Sequence, residues 1–123
     1  MRLVRHPLIR RDLVAMVDHI VETTQGDFTA AIRRLDEVDS LLADIAANPL
    51  SVKRLSPPLD GWLVRHGGRG HRITIVFRAN LERDELYVAL VAFGGQDWMT
   101  GSLERKEFVK GKLLGQSNPS TEL

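Results

Sequence analysis

The sequence of 123 residues contains no cysteine, which excludes disulfides, thiolate nucleophiles and cysteine-ligated metals and fits a reducing compartment. Aromatic residues amount to only 6%, with a single tyrosine, so a core must be built mainly from Leu, Ile, Val and Ala. No run of about 18 apolar residues occurs, which excludes a hydrophobic membrane-spanning helix. Arg2, Arg5, Arg10 and Arg11 crowd a start that has no apolar segment, so a secretory signal is not expected there. Neither charge sign dominates: the net charge is +1, which alone selects no class of partner. What is present, 43% hydrophobic and 27% charged residues, suits one soluble globular domain, expected to be cytoplasmic.

The placement of charge is more informative than its total. From Pro49 to Asn80 there are six basic residues (Lys53, Arg54, Arg65, Arg69, Arg72 and Arg78) and one acid, Asp60. The remainder of the chain carries a net charge of −4. His66 and His71 add to the basic stretch below neutral pH. Such a cationic middle on a near-neutral chain points to an anionic partner that meets one surface.

Periodicity divides the chain. Arg2–Arg5 reads as a short strand stopped by His6-Pro7. Ile9, Leu13, Met16, Val17 and Ile20 then recur at helical spacing over roughly 7–24. Gln25-Gly26 breaks this helix and Asp27 caps a second one. Its stripe is Phe28, Ala31, Ile32, Leu35, Val38, Leu42 and Ile45, and Asn48-Pro49 ends it. The result is an antiparallel helical hairpin whose apolar positions are all accounted for by packing on a further layer. After Ser56-Pro57-Pro58 the period changes to two. Trp62 and Val64 share a face of a strand that ends at Gly67-Gly68-Arg69-Gly70. In 71–79, Ile73, Ile75, Phe77 and Ala79 oppose Arg72, Thr74, Val76 and Arg78. Asn80–Asp84 forms a hairpin connection. In 86–93, Tyr87, Ala89, Val91 and Phe93 alternate with Leu86, Val88, Leu90 and Ala92, apolar on both faces as in a central strand. A last helix over 102–114 has weak anchors in Leu103, Phe108 and Leu113, and 115–123 reads as a loose tail. The expected fold is α+β, in the order β-α-α-β-β-β, with the hairpin packed on a small, mainly antiparallel sheet. Residues 1–100 form the domain and 101–123 a C-terminal extension.

No motif of high specificity for chemistry is present. The glycine turn joins two strands and lacks the spacing of a phosphate-binding loop, and there is no nucleophile elbow. His66 and His71 flank that turn without the further ligands that zinc needs, so no metal or cofactor is expected. Asp36, Glu37, Asp39 and Asp44 read as solubilising charge on the second helix. Arg72 and Arg78 share parity six residues apart, so one sheet face is expected to present both guanidinium groups to an anion. Cleavage of RNA would also need a proton donor or acceptor, and His66, His71 and Tyr87 are the nearby candidates. By parity with Val91 and Phe93, Tyr87 reads as a core aromatic.

Several short motifs in order resemble the RelE/ParE superfamily of toxins from bacterial type II toxin–antitoxin modules. They are Val4-Arg5-His6-Pro7, Arg11-Asp12-Leu13, Asp18-His19-Ile20, Asn48-Pro49, the strand Gly70-His71-Arg72-Ile73-Thr74-Ile75-Val76-Phe77, and Val88 to Trp98 with its ending Gly94-Gly95-Gln96-Asp97-Trp98. The resemblance spans about residues 2–99. It implies a growth-inhibiting toxin of plasmid-stabilisation type, neutralised by an acidic cognate antitoxin. RelE-like members cut mRNA on the ribosome, whereas ParE-like members inhibit DNA gyrase. Only Arg72 falls on an arginine of the nuclease pattern. Gln96 and Trp98 stand where nucleases carry basic residues, and no tyrosine follows Trp98, so the resemblance is closer to ParE. Arg65, Arg69, Arg72, Arg78 and Trp98 are then the residues expected at the partner surface. Under the alternative, a ribosome-dependent mRNA endonuclease, Arg72, His71, His66 and Tyr87 would form the catalytic set. In that case Arg105, Lys106, Lys110 and Lys112 could supply basic charge if the extension folds over the site. An inactive or regulatory member of the fold is the third reading.

Overall fold

Strand β1 (Arg2–Arg5) leads into helix α1 (Ile9–Thr23), and helix α2 (Phe28–Ala47) returns antiparallel to it. Strands β2 (Lys53–Arg54), β3 (Leu63–Gly67), β4 (Ile73–Asn80) and β5 (Glu85–Phe93) follow, and helix α3 (Trp98–Leu113) closes the order. These elements come from a computed structural model that describes residues 1–50, 53–57 and 59–113. The tail expected over 115–123, together with Pro58 and the side chains of Lys106, Phe108, Lys110, Lys112 and Leu113, lies outside the described residues.

The local signals behave as their chemistry dictates. The Asp27 carboxylate accepts the Ala30 N–H at 2.9 Å, satisfying one of the free donors at the start of α2. Asp97 does the same for α3. Its side chain accepts the Thr100 N–H at 3.2 Å and the Thr100 hydroxyl at 2.7 Å, which holds its carboxyl below the usual carboxylate range. This cap starts α3 at Trp98, four residues before the expected position, so the boundary drawn at residue 100 falls inside a helix.

The sheet order is β1-β5-β4-β3-β2. Only β1 runs parallel to its neighbour β5; the other pairs are antiparallel. The hairpin covers one face, where Met16, Ile20, Val38, Leu42 and Ile45 pack on Ile73, Ile75, Phe77, Leu86 and Val88. The opposite face carries Val64, Val76, Tyr87, Ala89, Leu90 and Ala92, covered by Leu59, Trp62 and α3. Every residue of β5 is buried, as its apolar character on both faces predicts.

Two expectations need correction. Strict alternation along β5 fails because Val76 pairs with Leu90 while Phe77 pairs with Val88, leaving Ala89 as a bulge. The extra residue reverses the faces, so Val91 and Phe93 join the hairpin side and Tyr87 the other. Tyr87 remains a core aromatic, with its hydroxyl donating to the Glu85 carboxylate at 2.6 Å. The second correction concerns the hairpin, whose apolar residues are not all packed inward: Phe28 is 63% exposed and Ile32 58%.

Phe77 has no exposed surface, so Phe77→Ala is expected to cost about 3–5 kcal/mol through the cavity it leaves. Phe28→Ala should stay within about 0.5 kcal/mol of the parent. Urea unfolding of the two variants checks the contrast.

Candidate functional site: a cationic cleft at the turn end of the hairpin

The turn between α1 and α2, with Thr24 and Asp27, faces the end of the sheet at which β4 begins and β5 ends. A cleft of about 460 Å³ remains there, lined among others by His19, Thr23, Arg34, Arg69, Arg72 and Phe93. Phe93 forms its floor. The Arg72 guanidinium lies 5.1 Å from the centre of the Phe93 ring, within range of a cation–π contact. His19 meets the same ring edge-on, with centroids 6.0 Å apart.

The left-handed backbone of the glycine turn sets the arginines. Gly68, Gly70 and His71 have φ values of 74°, 68° and 56°, and a single 3-10 turn over Arg69–His71 precedes β4. Glu37 anchors this turn by accepting the Arg69 N–H at 3.2 Å. The same carboxylate oxygen lies 3.0 Å from Nε of Arg34, an ion-pair contact without the direction of a hydrogen bond. A side chain on Gly68 would meet Ile73 at 2.7 Å and Glu37 at 2.8 Å, so glycine is required there for space as well as for φ. Glu37 is therefore not the simple solubilising charge expected from sequence.

Of the expected partner residues, the fold brings Arg69 and Arg72 together in this cleft. Arg65 points to the same side of the sheet but sits beside Asp44 of α2, at 4.0 Å. Arg78 lies on the opposite face, 5.7 Å from the Trp62 ring centre, and Trp98 is half-buried on that face at the start of α3. Arg72 and Arg78 thus do not share a face. Arg72 has φ −86° and ψ −8°, a helical conformation just before the strand, and strand parity does not reach it.

The residues considered for catalysis are also dispersed. His66 stands on the face opposite the hairpin, its Nδ1 2.9 Å from the Thr74 hydroxyl and its ring edge-on to Trp98 at 6.0 Å. His71 is exposed in the glycine turn. Tyr87 is buried, in register with Arg78. Gln96 is occupied structurally, its side-chain oxygen accepting the Phe93 N–H at 2.7 Å. Sequence reasoning missed His19, Arg34 and Phe93 as cleft residues and Glu37 as the anchor of the turn beside them. His19 and Arg34 flank the apolar stripes of their helices, a weak signal that acquires meaning only when both flanks meet the end of β5.

Chemically, three guanidinium groups over an aromatic floor suit an anion with a planar or apolar body. His19 is the imidazole within reach of such a ligand. Among the described residues no three His, Asp or Glu side chains gather as a metal site, and no helix is long and apolar enough to cross a membrane.

No family model and no curated protein matches the sequence. Among solved structures, it is similar to a chain of the toxin–antitoxin complex RelBE2 from Mycobacterium tuberculosis, with a TM-score of 0.52 and 19% identity. The match covers 75% of this chain and 95% of that one. The two share the same α+β fold.

Glu37→Gln should keep the fold and remove the carboxylate that competes for Arg34. Binding of tripolyphosphate, measured by isothermal titration calorimetry, is then expected to tighten by roughly two- to fivefold, the scale of a partly exposed ion pair. Unchanged or weaker binding would show that Glu37 does not set the charge of the cleft.

Proposed function

We propose that this chain is the toxin of a type II toxin–antitoxin pair, acting in the cytoplasm through the cationic cleft and neutralised by a cognate antitoxin that binds it. The observation that carries the reading is the assembly of Arg34, Arg69 and Arg72 around Phe93, on a fold shared with a chain of a toxin–antitoxin complex. Arrest of growth follows from occupation of an essential partner by this surface.

DNA gyrase, a protein target held by contact, fits the dispersed positions of His66, His71 and Tyr87 better than a ribosome-dependent mRNA endonuclease does. Gln96 and Trp98 serve the strand end and the α3 packing, so no basic pair stands after β5. One observation favours the nuclease as a second reading: His19 lies against Phe93 beside Arg72, an imidazole and a guanidinium over a platform on which a base could stack.

The experiment is viable count after tightly controlled induction in a bacterium, with and without the small neighbouring open reading frame. The proposal expects growth arrest that the neighbour reverses. Intact transcripts with altered DNA supercoiling would identify gyrase, and codon-positioned mRNA cleavage would identify the nuclease. Normal growth on induction would overturn the toxin reading.

A further inference from the structure

The bulge in β5 lies where β1 has run out. The last strand-like bond on that edge is the His6 N–H to the Val88 carbonyl, at 2.9 Å. Beyond it the edge is met by side chains. Asp12, in the first turn of α1, accepts the Val91 N–H at 3.0 Å. Arg105 of α3 donates to the Ala89 carbonyl at 3.0 Å and grips the Asp12 carboxylate through both terminal nitrogens, at 2.6 and 2.8 Å. Arg105 and Asp12 are only 13% and 11% exposed, so the fork is largely withdrawn from water.

Among the described residues of α3, this fork is the main polar fastening to the sheet. The helix approaches the sheet through small residues: a side chain on Gly101 would stand 2.7 Å from Leu90. Ser102 is buried with its hydroxyl turned back to the Trp98 carbonyl, while Met99 and Leu103 face solvent. Trp98 anchors one end, and no apolar stripe holds the rest of the described turns.

His6 adjoins the fork. It shares a cavity of about 400 Å³ with Arg11 and Asp12 of α1 and Glu104 and Arg105 of α3. Its backbone N–H donates to the Val88 carbonyl of β5. Its Nδ1 accepts the Leu8 N–H at 3.1 Å at the entry to α1, a role open only to the unprotonated nitrogen.

We propose that Asp12 and Arg105 latch α3 to the sheet and that protonation of His6 releases the latch. A proton on Nδ1 turns the acceptor into a donor, hands the exposed Leu8 N–H to water and adds a cation beside Arg11 and Arg105. Asp12 and Glu104 offset that charge in part, but Asp12 is already committed to Arg105 and Val91. Burial and the Arg105 guanidinium hold the His6 pKa below the ordinary histidine value, with Asp12 opposing them. The sign follows: the released state takes up the proton more readily, so the latched state loses stability as pH falls from about 6.5 towards the lower pKa of the folded protein. Release uncovers the apolar strip of Leu90, Ala92 and Val76 on the sheet.

Hydrogen exchange on the full chain tests this, with rates corrected for their intrinsic pH dependence. Protection of amides 101–105 in α3 is compared with that of Ile73–Phe77 in β4 at about pH 8 and about pH 5. The expected result is a loss of α3 protection on the order of tenfold at the lower pH, with β4 unchanged. His6→Asn retains an acceptor for the Leu8 N–H but cannot titrate, and should keep α3 protected at both pH values. His66→Asn, which removes the imidazole beside Trp98, should respond like the parent. Arg105→Gln should lose α3 protection at both pH values while β4 stays protected. Equal protection of the parent at both pH values, a response that survives in His6→Asn, or full protection in Arg105→Gln would overturn the proposal.

Discussion

Strand β5 imposes the governing constraint. All nine of its residues are buried, so both faces require cover and its edge groups require partners. The hairpin covers one face, and α3 with Leu59 and Trp62 covers the other. The Ala89 bulge lets the strand change faces between its two halves, so that Phe93 reaches the hairpin side. It also leaves the Ala89 carbonyl and the Val91 N–H to Arg105 and Asp12. One irregular residue therefore links α1, β5 and α3.

The cleft is a second consequence of that reversal. Phe93 lies on the hairpin side at the rim of the core, buried but lining the cleft together with Thr24 and Asp27 of the α1–α2 turn. Arg72 and His19 approach it from two sides, while Glu37 ties the glycine turn to α2 and so places Arg69. The positive φ values that bring Arg69 and Arg72 to the cleft are accommodated because glycine occupies two of the three positions and Glu37 anchors the turn.

Much of this organisation was legible in the sequence. The helical stripes, the Asp27 cap, the stop at Asn48-Pro49 and the doubly apolar β5 each follow from a rule that acts over a few residues. The α+β layering, a hairpin on a mainly antiparallel sheet, is as expected, while the parallel pairing of β1 with β5 was not read from the sequence. What escaped depends on contacts distant in sequence or on a single residue breaking a period. The bulge at Ala89 has no marker such as glycine or proline. Arg72 reads as part of a strand until its helical dihedral angles are known, so its expected partnership with Arg78 gives way to one with Phe93. Glu37 resembles any exposed helix acid, and only the fold sets it beneath Arg69. The Asp12–Arg105 fork joins residues 93 positions apart, beyond the range of any local pattern.

Under the proposed function, the hairpin-side cleft is the surface through which the chain acts. Charge reversal separates it from the other basic surface on the same sheet. The double variant Arg69→Glu, Arg72→Glu alters the cleft, whereas Arg78→Glu alters the opposite face, and folding of both is verified by thermal unfolding. Growth after induction of each variant is the decisive measurement: the account predicts that the cleft variant is harmless and that Arg78→Glu arrests growth as the parent does. A cleft variant as toxic as the parent, or toxicity lost only in Arg78→Glu, would contradict it.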